Sequence, residues 1–335
     1  MATYKGIQGY SVQKLSSDPT VEDTIGQLWY NSGSGKFKIS VEGAGAWAAG
    51  NALNSPRESP SGTGIQTAAL CAGGMMGPPA SPRYRDETET YDGTTWTEVN
   101  DLLTGRTAMG AAGIITASLV FGGSTATPNV KGETEEWDGT CWTEQNDLLT
   151  DRWRCGGYGT TTAANCVGGQ TPSPTSYYDV YETYDGTSWS EQNDINTARH
   201  NGIGGSGTTT AGLIYGGAVP GGTGESDATE EWDGTSWTTV NNLNEPKKSA
   251  GSAGTSTAAL YYGGYDGSNL ASNESWDGTS WTELADMGTA RRENSGANSA
   301  PNTVALAFGG YDGSLTGATE EWNDPVYSAK TVTVS

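Results

Sequence analysis

Apolar residues along this chain come in short runs that end in paired glycines: LCAGG (70–74), LVFGG (119–123), CVGG (166–169), LIYGG (213–217), LYYGG (260–264) and LAFGG (306–310). After each run come a glutamate, an aromatic, a turn sequence and a second aromatic. The copies are ETYDGTTW (89–96), EEWDGTCW (135–142), ETYDGTSW (182–189), EEWDGTSW (230–237), ESWDGTSW (274–281) and, degenerate, EEWNDPVY (320–327). Runs this short, bounded by glycine and rich in β-branched and aromatic residues, predict strands, and no stretch has a helical period. The Asp-Gly inside each copy signals a hairpin turn, because its residues tolerate positive φ.

The spacing shows a repeat. From Glu89, Glu135, Glu182, Glu230, Glu274 and Glu320 to the second aromatic is always 7 residues. From that tryptophan to a basic residue is always 10, giving Arg106, Arg152, Arg199, Lys247 and Arg291, and Trp47–Arg57 keeps the same step. Basic residue to first glycine is 16 to 18, whereas first glycine to next glutamate ranges from 11 to 16. Each unit of 44–49 residues therefore reads as four strands. Strand a follows the basic residue, b ends in Gly-Gly, c carries the glutamate, and d begins at the tryptophan. Four short strands repeated at this period predict an all-β, six-bladed β-propeller, with an N-terminal β-hairpin extension over 25–40. The strand around Trp47 would supply the outer strand of the last blade. A seven-bladed alternative pairs the 27–47 segment with the C-terminal KTVTV strand. The expected boundaries are an attachment segment over 1–46 and a propeller over 47–335.

Composition narrows the function classes. The net charge of −22 repels nucleic acid and anionic membranes. No apolar run is long enough for a membrane-inserted helix. The N-terminus MATYKGIQGYSVQKL has no apolar core of a signal peptide, so synthesis in a cytoplasm is expected. The four cysteines form no CxxC pair and His200 is the single histidine, so metal and cofactor sites are not expected. Cys155 and Cys166 fall on adjacent strands, either as a disulfide or as buried thiols. The Asp of each Asp-Gly reads as turn chemistry. Calcium would suit the acidity, but no spaced carboxylate cluster resembles an EF-hand loop. A triad has only His200 to draw on, and no carboxylate pair stands apart from the repeat, so the chain is expected not to be an enzyme.

In its Gly-Gly pairs and two spaced aromatics the chain resembles the kelch family over about 47–327, which implies a propeller but no particular function. Asp-Gly-Thr-x-Trp departs from the sialidase Asp box, Asp-x-Gly-x-Thr-Trp, so sialidase chemistry is not carried over. IGQLWYNSGSGKFKIS (25–40), followed by GAWAAG, resembles the start of bacteriophage virion proteins, especially tail appendages with kelch-like repeats. That resemblance implies a virion protein, a tail-fibre or receptor-binding component, attached to other virion proteins through residues 1–46 and facing a host cell-surface glycan. The alternative is a cellular kelch-like interaction or lectin module.

Antiparallel connectivity puts the d–a and b–c connections on one end of the sheets. The b–c loops vary in length and carry Tyr84, Tyr177, Tyr178, Tyr265 and Tyr311, candidate stacking surfaces for a sugar or protein. On the same end lie Arg57, Arg106, Arg152, Arg199, Lys247 and Arg291. They read either as an anion-binding crown or as structural partners of Glu89, Glu135, Glu182, Glu230, Glu274 and Glu320.

Overall fold

The computed structural model describes residues 12–19, 26–77, 83–126, 129–172, 175–220 and 224–332. Residues 1–11 and 20–25 of the attachment segment, and parts of the first four b–c loops, lie outside the described residues. All regular structure among the described residues is β-strand.

Two compact units form. One takes its residues from 1–46 and 323–335. Its sheet orders Gln13–Leu15, Leu28–Asn31, Lys36–Gly43 and Val326–Thr331, with the first pair parallel. The hairpin runs from Leu28↔Ile39 to Asn31↔Lys36, with Tyr30 and Phe37 packed edge-on at 5.3 Å. The C-terminal strand pairs here, in register Lys38↔Thr331, so the second unit ends at Trp322 and not at 335.

That second unit, Trp47–Trp322, contains six small four-stranded sheets in a propeller-like arrangement. Repeat 2 shows the pattern: strands a (Gly110–Ile114), b (Ala117–Phe121), c (Thr134–Trp137) and d (Trp142–Gln145) form one antiparallel meander. Repeats 1, 3, 4 and 5 do the same. The sixth sheet orders Ser295–Gly296, Val304–Phe308, Thr319–Asn323 and Ala46–Gly50, so its outer strand comes from the other end of the chain.

The c–d turn has four residues, with the aspartate in turn chemistry as expected and positive φ confined to the glycine. Only the glycine takes positive φ (Gly186, 92°), while the Asp185 carboxylate accepts the amides of Thr187 and Ser188 at 2.8 Å. The aspartate is an Asx cap, not a second left-handed residue.

The core lies between sheets. Trp189 packs on Phe121 of the preceding repeat at 4.7 Å, and Trp281 on Tyr215 at 4.8 Å. Strand b is the buried wall: Leu119, Val120 and Phe121 are fully enclosed, each contributing about 1.5–3 kcal/mol by burial. A hydrogen bond fixes the indoles. Trp142, Trp189 and Trp281 donate Nε1–H to Thr88, Thr134 and Thr229 of the preceding repeat at 2.9–3.0 Å. Trp96 of the first repeat donates to Thr319 of the last at 2.9 Å. Where Tyr181 replaces the threonine, Trp237 Nε1 has no hydrogen-bond partner among the described residues.

Candidate functional site

A constant frame carries the end formed by the d–a and b–c connections. Each basic residue is fully buried and ion-paired with the glutamate of its own repeat. The pairs are Arg57–Glu89, Arg106–Glu135 (2.7 Å), Arg152–Glu182 (2.8 Å), Arg199–Glu230, Lys247–Glu274 (3.3 Å) and Arg291–Glu320 (3.3 Å). The second carboxylate oxygen accepts a backbone amide from the incoming d–a connection, such as Leu149 N on Glu182 at 2.8 Å. None of the six cations is exposed, which removes the anion-binding crown and leaves a structural role. Burial holds the Glu182 carboxyl above its usual range, against the pull of Arg152.

The glycine pair explains itself at this point. Gly73 and Gly74 both take positive φ (63° and 108°), and a Cβ on Gly73 would sit 2.5 Å from the Arg106 carbonyl of the next repeat. That approach lets Gly74 N–H donate to Arg106 O at 2.8 Å, and Gly310 N–H makes the same bond to Arg57 O at 2.8 Å.

Two residues beyond each basic residue stands a second constant element. Ser59, Ala108, Arg154, Asn201, Ser249 and Glu293 all have φ between 50° and 59°. Such a conformation costs a non-glycine residue about 1–2 kcal/mol. It is held by hydrogen bonds from repeat to repeat. The amides of Ala108, Arg154, Asn201, Ser249 and Glu293 each donate to the carbonyl of the preceding member at 2.7–3.1 Å. Ser59 N–H donates to Glu293 O at 2.9 Å, so the cycle returns to its start. This collar surrounds the mouth of a cavity of about 120 Å3, walled below by the first residues of the a strands.

Constant backbone here carries unlike side chains. The two positions after the basic residue read Glu58–Ser59, Thr107–Ala108, Trp153–Arg154, His200–Asn201, Lys248–Ser249 and Arg292–Glu293. The first of each pair bridges to the b–c loop, as in His200↔Ala218 and Arg292↔Tyr311. Arg154 lies over the Trp153 ring at 4.5 Å. Arg292 sits between Tyr265 (5.1 Å) and Tyr311 (4.5 Å) and donates to Asn269 Oδ1 at 3.0 Å. Lys248 pairs with Glu225 at 2.9 Å. On the other side of the collar the Glu293 carboxylate accepts Ser59 Oγ–H at 2.6 Å and Ser249 Oγ–H at 3.1 Å. Burial, then the Glu293 charge, raises the Glu58 pKa.

Of the five tyrosines singled out from sequence, Tyr265 and Tyr311 are brought together on Arg292, and Tyr177 stacks on His200 at 4.6 Å. Tyr84 bridges Met75 through its backbone, and half-buried Tyr178 joins none of these clusters. His200 is half-buried, bridged to Ala218 and stacked on Tyr177, and not a plain surface-loop residue; burial and the Arg154 charge push its pKa down to about 4. Cys155 and Cys166 are free, buried thiols without a disulfide. Sequence reasoning missed the collar, whose backbone is held by hydrogen bonds between repeats and not by residue type.

No protein-family model matches the chain, and a search of curated proteins finds no similar sequence.

Proposed function

We propose that this chain is a closed six-bladed kelch-like propeller serving as a non-enzymatic binding component of a bacteriophage virion, in a tail fibre or appendage. Residues 1–46 attach it to other virion proteins, and the propeller holds a host glycan or a further virion protein at the collar. The observation that carries this reading is the contrast at the mouth. Six equivalent, strained and cyclically bonded backbone positions present six different side-chain pairs. Rigid scaffold beneath variable chemistry is the arrangement of a recognition surface, and strain held by its surroundings concentrates at such sites. The virion assignment rests on the resemblance of residues 25–40 and the GAWAAG that follows them.

Two measurements test the reading. Gold-labelled antibody to the purified chain should decorate a tail appendage on intact particles. Binding of the purified chain to host surface glycans or to a virion protein should weaken when collar residues change. Absence of the chain from particles would remove the virion role and favour the cellular interaction module. Binding that ignores every collar substitution would move the site elsewhere.

A further inference from the structure

We propose that the axial cavity takes the carboxylated edge of one sugar residue, with Arg154 receiving the carboxylate and Asn201 and Asn294 receiving ring hydroxyls. This deepens the reading of the mouth as a ligand site and rests on it.

The first observation concerns arginines left without carboxylates in a chain of net charge −22. Among the described residues of the second unit, Arg57, Arg85, Arg106, Arg152, Arg199 and Arg291 are all ion-paired. Arg154 and Arg292 are not exposed either, yet neither is ion-paired among the described residues; Glu58 lies within range of both charges without pairing with either. Arg292 is held by Asn269 and two tyrosine rings. Arg154 rests on Trp153, lines the cavity, and makes no side-chain hydrogen bond among the described residues; its Nε is buried without a partner. A guanidinium propped on an aromatic ring and left unpaired in an acidic protein is an anion-binding arm.

A second observation is independent of charge. Asn201, next to Arg154 in the collar, is 8 % exposed and lines the cavity, and its side-chain amide makes no hydrogen bond among the described residues. Asn294, 6 % exposed, also lines the cavity, and its Nδ2 and Oδ1 are buried without a hydrogen-bond partner among the described residues. Polar groups enclosed and unsatisfied at this depth are costly unless something meets them. Glu293, by contrast, is already satisfied by Ser59 and Ser249. The unmet demand is therefore an anion at Arg154 and donor–acceptor groups at Asn201 and Asn294.

Size and lining select among anions. At about 30 Å3 of liquid volume per water, the 120 Å3 cavity has room for about four waters, the scale of a carboxylate and the adjoining edge of one sugar ring. Its walls are serine, asparagine and glycine backbone, with Met109 and Ile203 the only large apolar side chains. An apolar peptide side chain finds little to bury against there, whereas a hydroxyl-bearing ring finds partners.

The test is an array of uronic-acid- and sialic-acid-bearing glycans, their carboxyl-reduced counterparts and neutral glycans, probed with the full chain and with R154A, R154K and N201G. Ala108 occupies the position equivalent to Arg154 at φ 54°, and glycine suits the conformation of Asn201, so these variants keep the collar. The expected result is binding confined to carboxylated glycans, weakened about tenfold or more by carboxyl reduction, R154A or N201G, and partly kept by R154K. Equal binding of carboxyl-reduced glycans, or no effect of R154A, overturns the carboxylated sugar; the mouth survives as a site if N201G still weakens binding. Capture of an acidic peptide or a virion protein in place of any glycan also overturns it while sparing the mouth. Binding that no collar variant alters overturns both readings.

Discussion

The backbone amide of Ser59 donates to the carbonyl of Glu293 at 2.9 Å, across a separation of 234 residues. That bond completes a series of collar hydrogen bonds that runs from each repeat to the next. Gly310 to Arg57 and Trp96 to Thr319 repeat the junction at two other depths of the sheets.

Ala108 tests the strain in the collar. Glycine at its φ of 54° relieves a cost of about 1–2 kcal/mol and adds an entropic one of about 0.5–1 kcal/mol. A108G is expected to match or exceed the parent stability by up to about 1 kcal/mol. A108V, β-branched in a left-handed conformation, should lose about 2 kcal/mol or more. Urea denaturation compares the three; a valine variant as stable as the glycine one would mean that the position is not left-handed.

Removing one partner of a buried ion pair should be severe. R152M leaves Glu182 enclosed without its cation and is expected to cost about 3–5 kcal/mol. Adding E182L should recover only part of the loss. Leu149 N–H then loses its acceptor and the Val180 carbonyl still lacks the donor that Arg152 supplied. Full recovery in the double variant would show that those backbone contacts contribute nothing.

Trp189 is 4 % exposed, packs on Phe121, and donates to Thr134 at 3.0 Å. W189A should cost about 3–5 kcal/mol, the range for a buried aromatic. T134V, which orphans the indole N–H, should cost about 1–3 kcal/mol. A W189A loss below about 1 kcal/mol would place the ring outside the inter-sheet core.

His200 supplies a pH signature that no other residue can mimic, because it is the only histidine. Its folded pKa lies near 4, below the ordinary 6.5, so the unfolded chain takes up the proton first as pH falls. The stability this residue contributes is whole above pH 6.5 and is lost as pH drops through that interval toward 4. Allowing for its partial exposure, the loss is about 1–2 kcal/mol. Unfolding free energies at pH 7.5 and about pH 4 should fall more for the parent than for H200Q by that amount. An imidazole NMR titration centred at 6.5 would contradict the half-buried placement.

The repeat and its four strands were legible because their cause is local: a glycine pair is forced by positive φ and close backbone approach, and Trp and Glu recur wherever a sheet wedges against the next. The ion pairs were legible as one of two readings, since Arg152 and Glu182 keep register in every copy; only burial chose between them. The collar was not legible. Its left-handed residues are Ser, Ala, Arg, Asn and Glu, and only Asn carries an intrinsic signal for that conformation. Their geometry is imposed by hydrogen bonds between repeats, which no local pattern records. The loop tyrosines were picked by residue type alone, and Tyr178 shows the weakness of that choice. Cys155 and Cys166 show another: strands that pair bring thiols near each other without making them a disulfide.

Closure of the cycle is the claim on which the mouth, its cavity and its ligand all depend. Residue-resolved hydrogen exchange tests it most directly, by comparing the six collar amides. The account predicts that Ser59 N–H, the bond that joins last repeat to first, is protected as strongly as Arg154 and Asn201 N–H in the middle of the chain. A Ser59 amide exchanging orders of magnitude faster than those two would mean that the repeats form an open row.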